Sequence, residues 1–121
     1  MQLAPEQEAF VEAIRDFAER ERFDRPEDGH SPEVAERMGE LGWYGLQIAE
    51  EYGGSGGSFL DATLFLEETA RGRIPVNAYG VTLIVVGALN RFGSEEQKAD
   101  LLGRVARGGS LAIAMSEPDA G

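Results

Sequence analysis

From Val76 to Asn90, about 15 consecutive residues carry no charge in a chain of which 27% is Asp, Glu, Lys or Arg. A segment this apolar belongs inside a structure, so it limits what the rest of the chain can be. The β-branched run Ile84-Val85-Val86 alone suits a strand. The length of the segment and the lack of a turn signal favour a helix, opened by Pro75 and running from Val76 to about Arg91. Such a helix is expected to be central, with other helices around it. Gly80 and Gly87 stand seven apart on one face and leave room for a close neighbour or a ligand.

The segments before it supply those neighbours. Residues 5–22 place Phe10, Ile14 and Phe17 at four- and three-residue spacing, with Pro5 in the first turn. Acids lead and arginines follow, which suits the helix dipole and allows Glu12–Arg15 and Asp16–Arg20 pairs. A polar loop from Asp24 to Gly29 follows; His30 reads as an exposed loop residue beside it. Ser31 and Pro32 are an N-cap and first residue for a second helix to about Leu41, packing Val34, Ala35, Met38 and Leu41, with Gly42 as its stop. Trp43 to Leu46, with Ile48, reads as an apolar, buried corner. The glycine-dense run Glu50 to Ser58 invites a phosphate-loop reading. No Gly-Lys-Ser/Thr follows it and acids flank it, so a tight turn between helices is the better reading. Ser58 then caps a third helix, Phe59 to about Arg71, buried on more than one face, with Glu67 and Glu68 on its wetter side. Ser94 and Gln97 form a capping box that starts a fifth helix, ended by Gly108-Gly109.

Charge and composition narrow the function classes. The net charge of −11 is uneven: residues 1–70 carry −12 and residues 71–121 carry +1. An acidic surface of this kind repels phosphate backbones and disfavours nucleic-acid binding. Arg71, Arg73, Arg91, Lys98, Arg104 and Arg107 make the second part more receptive to an anionic ligand. With no cysteine and a single histidine, there is no disulfide framework, thiolate nucleophile or Cys/His metal cluster. The apolar run Val81 to Leu89 is too short to span a bilayer, and no secretory signal opens the chain. A cytoplasmic protein is expected.

The composition changes abruptly at residue 110. Ser110 to Met115 are small and apolar, and Ser116-Glu117-Pro118-Asp119-Ala120-Gly121 then bring a hydroxyl, two carboxylates, a proline turn and a glycine. The chain thus reads as all-α, a bundle of about five helices ending in one short β-strand. Residues 1–109 form the helical domain, and 110–121 the first strand and turn of a β domain.

This closing stretch resembles the flavin-binding signature of the acyl-CoA dehydrogenases: a short strand, Ser/Thr-Glu, two variable residues, a small residue, glycine, and then Ser/Thr-Asp. Upstream, Leu41-Gly42-Trp43-Tyr44-Gly45-Leu46 leading to Glu50-Glu51-Tyr52-Gly53-Gly54 is similar to the family's first inter-helix region. Leu66-Glu67-Glu68-Thr69-Ala70 and Phe92-Gly93-Ser94-Glu95-Glu96-Gln97-Lys98 resemble later segments in the same order. The resemblance covers essentially the whole chain.

It implies an FAD enzyme that removes hydrogens from the α and β carbons of an acyl-CoA thioester, with hydride passing to flavin N5. Within that family pattern, Ile113, Ala114 and Met115 match the strand residues lying along the flavin, and Ser116 matches a hydroxyl that hydrogen-bonds the ring. Glu117, Pro118, Asp119, Ala120 and Gly121 match the turn continuing along cofactor and substrate, with Asp119 standing where glycine is common. The family's glutamate base lies in a later part of typical members, so no catalytic residue is assigned to this chain and the isolated chain is expected to be inactive. The fourth helix, over Val81–Gly87, is expected to border the acyl-tail pocket. Electron-transferring flavoprotein is the implied electron acceptor, and a homo-oligomer, dimer or tetramer, the implied assembly of the full-length protein. Two other readings stay open on residues alone: a stand-alone helical interaction module without catalysis, and a flavin monooxygenase or nitroalkane oxidase built on the same scaffold.

Overall fold

Proline at a helix start costs no hydrogen bond, because the first-turn N–H groups have no intrahelical acceptor. Two helices of this chain use that freedom, α1 (Pro5–Glu21) and α2 (Pro32–Glu40). The computed structural model describes residues 1–23 and 29–120, so the polar loop expected over Asp24 to Gly29 lies, apart from Gly29, outside the described residues. The third and fourth helices are α3 (Phe59–Arg71) and α4 (Ala78–Phe92). The fifth, α5, is a composite of Glu95–Gln97, a π turn at Lys98–Leu102 and a last α turn at Gly103–Ala106.

The ends of these helices follow their sequence signals. The hydroxyl of Ser31 accepts from the Val34 N–H at 3.3 Å, and Ser58 and Ser94 each complete a capping box, with Asp61 and Gln97. Three helices stop in the same reciprocal pattern. Trp43 N–H donates to Met38 C=O, Ile74 N–H to Thr69 C=O and Gly109 N–H to Arg104 C=O. The residue before each donor takes a left-handed backbone: Gly42 (φ 81°), Arg73 (φ 54°) and Gly108 (φ 98°).

The connectors are packed as tightly as the helices. Ser31 N–H donates to Pro75 C=O at 2.7 Å and Asn77 N–H to Gly29 C=O at 2.8 Å, which ties the approach to α2 to the approach to α4. The glycine-dense run forms a 3₁₀ turn, Glu50–Tyr52, followed by a loop folded back on the Gly45–Ile48 corner. The N–H groups of Ser55, Gly56 and Gly57 donate to the carbonyls of Gly45, Ile48 and Leu46. Donors committed in this way cannot cradle a phosphate, so the turn reading holds. A Cβ on Gly54 would stand 2.0 Å from the Ile48 carbonyl oxygen, which explains one of the glycines by close approach.

The core is aromatic at its centre. Tyr79 of α4 lies with its ring centroid 4.7 Å from Tyr44 and 4.9 Å from Phe65, and Trp43 packs edge-on against Phe10 and Phe17. Tyr44, Leu46 and Ile48 are buried, as the corner reading requires. Burial pushes the Tyr44 and Tyr79 phenols up, so both are neutral at any ordinary pH.

Four expectations for the helices are corrected. Leu41 is 53% exposed, because α2 has already ended and its cap turns that side chain outward. Glu68 is buried, not on a wet side; Arg15 of α1 reaches it with two hydrogen bonds of 2.7 and 2.8 Å. Arg15 is therefore taken from the expected Glu12 pair, and Arg20 bonds the Asp16 backbone carbonyl rather than its carboxylate. Helix α4, uncharged as far as Asn90, is not enclosed: only Tyr79, Thr82 and Val86 are buried, while Val81 and Ile84 are 43% and 58% exposed. The short strand expected to open residues 110–121 has no ladder partner among the described residues. An isolated bridge, Glu117 to Ala120, is the pairing found in the tail.

Candidate functional site

The open face of α4 and the tail beginning at Leu111 meet at one residue, Thr82. Its side chain is fully buried, and its hydroxyl accepts from the Leu111 N–H at 3.0 Å and donates to the Leu111 C=O at 3.3 Å. Leu111 packs its side chain on the core, and every described residue after it is exposed. At the other end of α4, the Asn90 amide donates to the Gln47 carbonyl at 2.8 Å and holds the helix to the Trp43–Ile48 corner.

The sequence-derived site residues from Ile113 to Ala120 fall on this exposed run. Ile113 is 44% and Met115 83% exposed; Ala112, Ala114 and Ser116 are exposed beside them. Their backbone N–H and C=O groups make no backbone hydrogen bond among the described residues. Glu117 to Ala120 close a tight turn, with Pro118 and Asp119 at its centre and reciprocal Glu117–Ala120 bonds of 3.1 and 3.4 Å. Gly121 lies outside the described residues. The tail therefore presents a row of unpaired donors and acceptors flanked by small side chains, the surface a flat, hydrogen-bonding ring can approach closely.

On α4, a Cβ built on Gly80 or on Gly87 would meet nothing within 4 Å, so neither glycine serves a close helix neighbour among the described residues. They widen a shallow apolar face that includes Val81 and Ile84. Near its start, Leu66, Thr69 and Ala70 of α3 join Asn77 and Gly80 around a cleft of about 240 Å³.

Three of the six cations of the second part are held in ion pairs among the described residues. Arg71 pairs with Glu67 and Glu68, Lys98 with Glu95, and Arg104 with Asp100. Tyr52 donates to Glu95, and that carboxylate helps push the phenol up to about 12. Among the described residues no group of His, Asp and Glu side chains is arranged to hold a metal, and no helix is long and apolar enough to cross a membrane.

Residues 4–109 match the model of the acyl-CoA dehydrogenase N-terminal domain. The chain belongs to the acyl-CoA dehydrogenase family. It is 35% identical, over 99% of its length and 34% of the relative's, to a probable acyl-CoA dehydrogenase, YngJ, of Bacillus subtilis. It is 35% identical to the acryloyl-CoA reductase (NADH) of Anaerotignum propionicum, over 98% of this chain and 32% of that one. Among solved structures it superposes with a TM-score of 0.66 and 28% identity on a chain of the ChsE4-ChsE5 complex from Mycobacterium tuberculosis, covering 89% of this chain and 29% of that one. It spans about a third of the length of these curated relatives. Its helical bundle is the family's N-terminal domain, and the resemblance drawn from Leu41–Gly54, Leu66–Ala70 and Phe92–Lys98 falls within the matched residues.

The residue that sequence reading missed is Thr82. The signal available was one aliphatic hydroxyl within an uncharged run that also holds the Tyr79 phenol, which identifies no partner by itself.

Proposed function

We propose that this chain is the N-terminal part of an FAD-dependent enzyme that desaturates acyl-CoA thioesters between the α and β carbons. The observation that carries the reading is the tail from Ala112 to Ala120. It is an exposed run whose backbone is unpaired from Ala112 to Ser116, with the small side chains of Ala112, Ala114 and Ser116, leaving the core beside an open apolar helix face. FAD, once bound, supplies the electron-accepting ring.

The chain's own residues would hold and shield that ring. The backbone of Ile113, Ala114 and Met115 offers hydrogen bonds along its edge, and the Ser116 hydroxyl offers one at the end of the run. Donors fixed in place before charge develops stabilise it more than mobile water does, because they need no reorientation. Glu117, Pro118, Asp119, Ala120 and Gly121 form or continue the turn that carries contacts from cofactor toward substrate. The α4 face with Val81, Ile84, Gly80 and Gly87 walls the acyl tail, and the space over the glycines sets how long a tail is accepted. No proton-transfer group is assigned in this chain; the base is expected in the remainder of the protein, and the isolated chain is expected to be inactive.

Relatives named a reductase and, in Cupriavidus necator, a 3-sulfinopropanoyl-CoA desulfinase indicate that this domain serves more than one reaction on CoA thioesters. Dehydrogenation is preferred because relatives in Bacillus subtilis, Clostridium acetobutylicum and Mycobacterium tuberculosis, each matched over nearly the whole chain, are named acyl-CoA dehydrogenases, against one so matched that is named a reductase. A cytoplasmic homo-oligomer passing electrons to an electron-transferring flavoprotein completes the proposal. The test is to express the full reading frame and add acyl-CoA without oxygen. A yellow protein whose flavin absorbance bleaches supports the reading; a colourless protein, with added FAD left unbleached, refutes it. Replacing Gly80 with Leu should raise KM for long acyl chains and leave short ones nearly unchanged.

A further inference from the structure

We infer that Thr82 is a positioning residue: its hydroxyl pins Leu111 and so fixes the register and height at which the tail leaves α4. The inference rests on the proposed role of that tail for its functional consequence, though not for the pin itself.

Helical threonines ordinarily turn their hydroxyls back on their own helix. Thr63 and Thr69 of α3 do so, donating to Phe59 C=O at 2.9 Å and Phe65 C=O at 2.8 Å. The Thr82 hydroxyl instead reaches across 29 residues of sequence and engages both polar groups of Leu111, accepting at 3.0 Å and donating at 3.3 Å. Thr82 is fully buried and Leu111 half-buried, so the bonds are partly shielded from water, where satisfying a backbone N–H and C=O matters more than in the open.

Two consequences follow from strand geometry. A backbone residue whose N–H and C=O are both held by a side chain cannot offer them to a ladder on that side, so pairing of the tail with any further strand starts after Leu111. Side chains along a strand alternate, and a slip of one residue exchanges the two faces. With Leu111 held against the core, Ile113 and Met115 share its side, and Ala112, Ala114 and Ser116 share the other. The apolar residues thus fall on one face and the small residues with the hydroxyl on the other. A slip would put Ile113 and Met115 where the small face belongs and turn Ser116 away.

The test uses the full-length protein with Thr82→Val, which keeps the shape and removes the hydroxyl, and Thr82→Ser, which keeps the hydroxyl. Hydrogen–deuterium exchange, read on peptides that bracket Leu111, should show this amide protected in wild type and Thr82→Ser. In Thr82→Val its protection should fall roughly tenfold or more while α4 amides stay protected. FAD titrated into apoprotein should bind several-fold more weakly to Thr82→Val, with Thr82→Ser close to wild type. Rapid exchange of the Leu111 amide in wild type overturns the pin, even if Thr82→Val does not fold. A protected amide with FAD affinity unchanged in Thr82→Val overturns the positioning role. Failure of wild type itself to bind FAD sinks the proposed function, while the exchange measurement still decides the pin.

Discussion

A carboxylate 4% exposed needs a partner, and Glu68 has one in Arg15, whose two donors lie at 2.7 and 2.8 Å, with Arg71 at 3.8 Å. The hydrogen bonds from Arg15 hold the Glu68 carboxyl below the usual glutamate range, against the opposing effect of its burial. A carboxyl whose pKa is lower in the folded than in the unfolded chain stabilises the fold fully above its unfolded value, and that contribution disappears as pH falls through the folded value. Arg15→Met should therefore lower Tm by several degrees at pH 7, because it leaves a buried charge short of its main partner. The difference from wild type should shrink as pH falls below the usual glutamate range and through the lowered folded value, where Glu68 takes up its proton. Thermal melts at the two pH values check this; a difference that stays constant would mean the pair is not the cause. The sequence hid this residue because Glu67 and Glu68 are adjacent carboxylates on one helix. Which of them faces α1 is decided by helix packing.

At the scale of elements, glycine means opposite things in two places. Gly87 is an exposed position inside α4 where a Cβ meets nothing within 4 Å. Gly87→Ala should raise stability by about 0.5–1 kcal/mol, since it removes backbone freedom without a clash. At Gly108 (φ 98°) a Cβ would stand 2.4 Å from the Ala35 carbonyl oxygen, so Gly108→Ala should cost about 2–3 kcal/mol. Chemical denaturation of the two variants would settle both signs. The helices themselves were legible, because Ser31, Ser58 and Ser94, with Pro5, Pro32 and Gly42, are local signals for local structure. What α4 faces was not. A run without charge reports that a helix avoids water, and the same pattern serves an enclosed helix or one whose face awaits another part of the protein. The π turn at Lys98–Leu102 was likewise invisible, since it answers to how Leu102, Val105 and Ala106 meet the core together. The tail's motif carries the expectation of flavin contacts, but its attachment through Thr82 was not legible, because that bond joins residues far apart in sequence.

For the whole molecule, five of the nine large apolar side chains left exposed among the described residues lie on α4 and the tail. Val81 and Ile84 on α4, and Ile113 and Met115 on the tail, are each between 43% and 83% exposed. The tail also presents unpaired backbone groups, and an open extended edge of this kind pairs readily with another chain. In relatives about three times as long, two thirds of the protein lies outside the matched region. A 121-residue chain by itself therefore exposes surface that a longer one has the means to cover. The acidic balance of −11 opposes association but sits mainly on residues 1–70, while the segment with the open face is nearly neutral. The isolated chain should thus self-associate as its concentration rises, and salt should strengthen the effect by screening the acidic part. The double variant Ile84→Lys, Met115→Lys should shift it toward monomer with its helical circular dichroism unchanged, since both side chains are exposed. Light scattering across a concentration series decides the point: a wild-type chain that stays monomeric at high concentration and high salt would show that this face needs no cover.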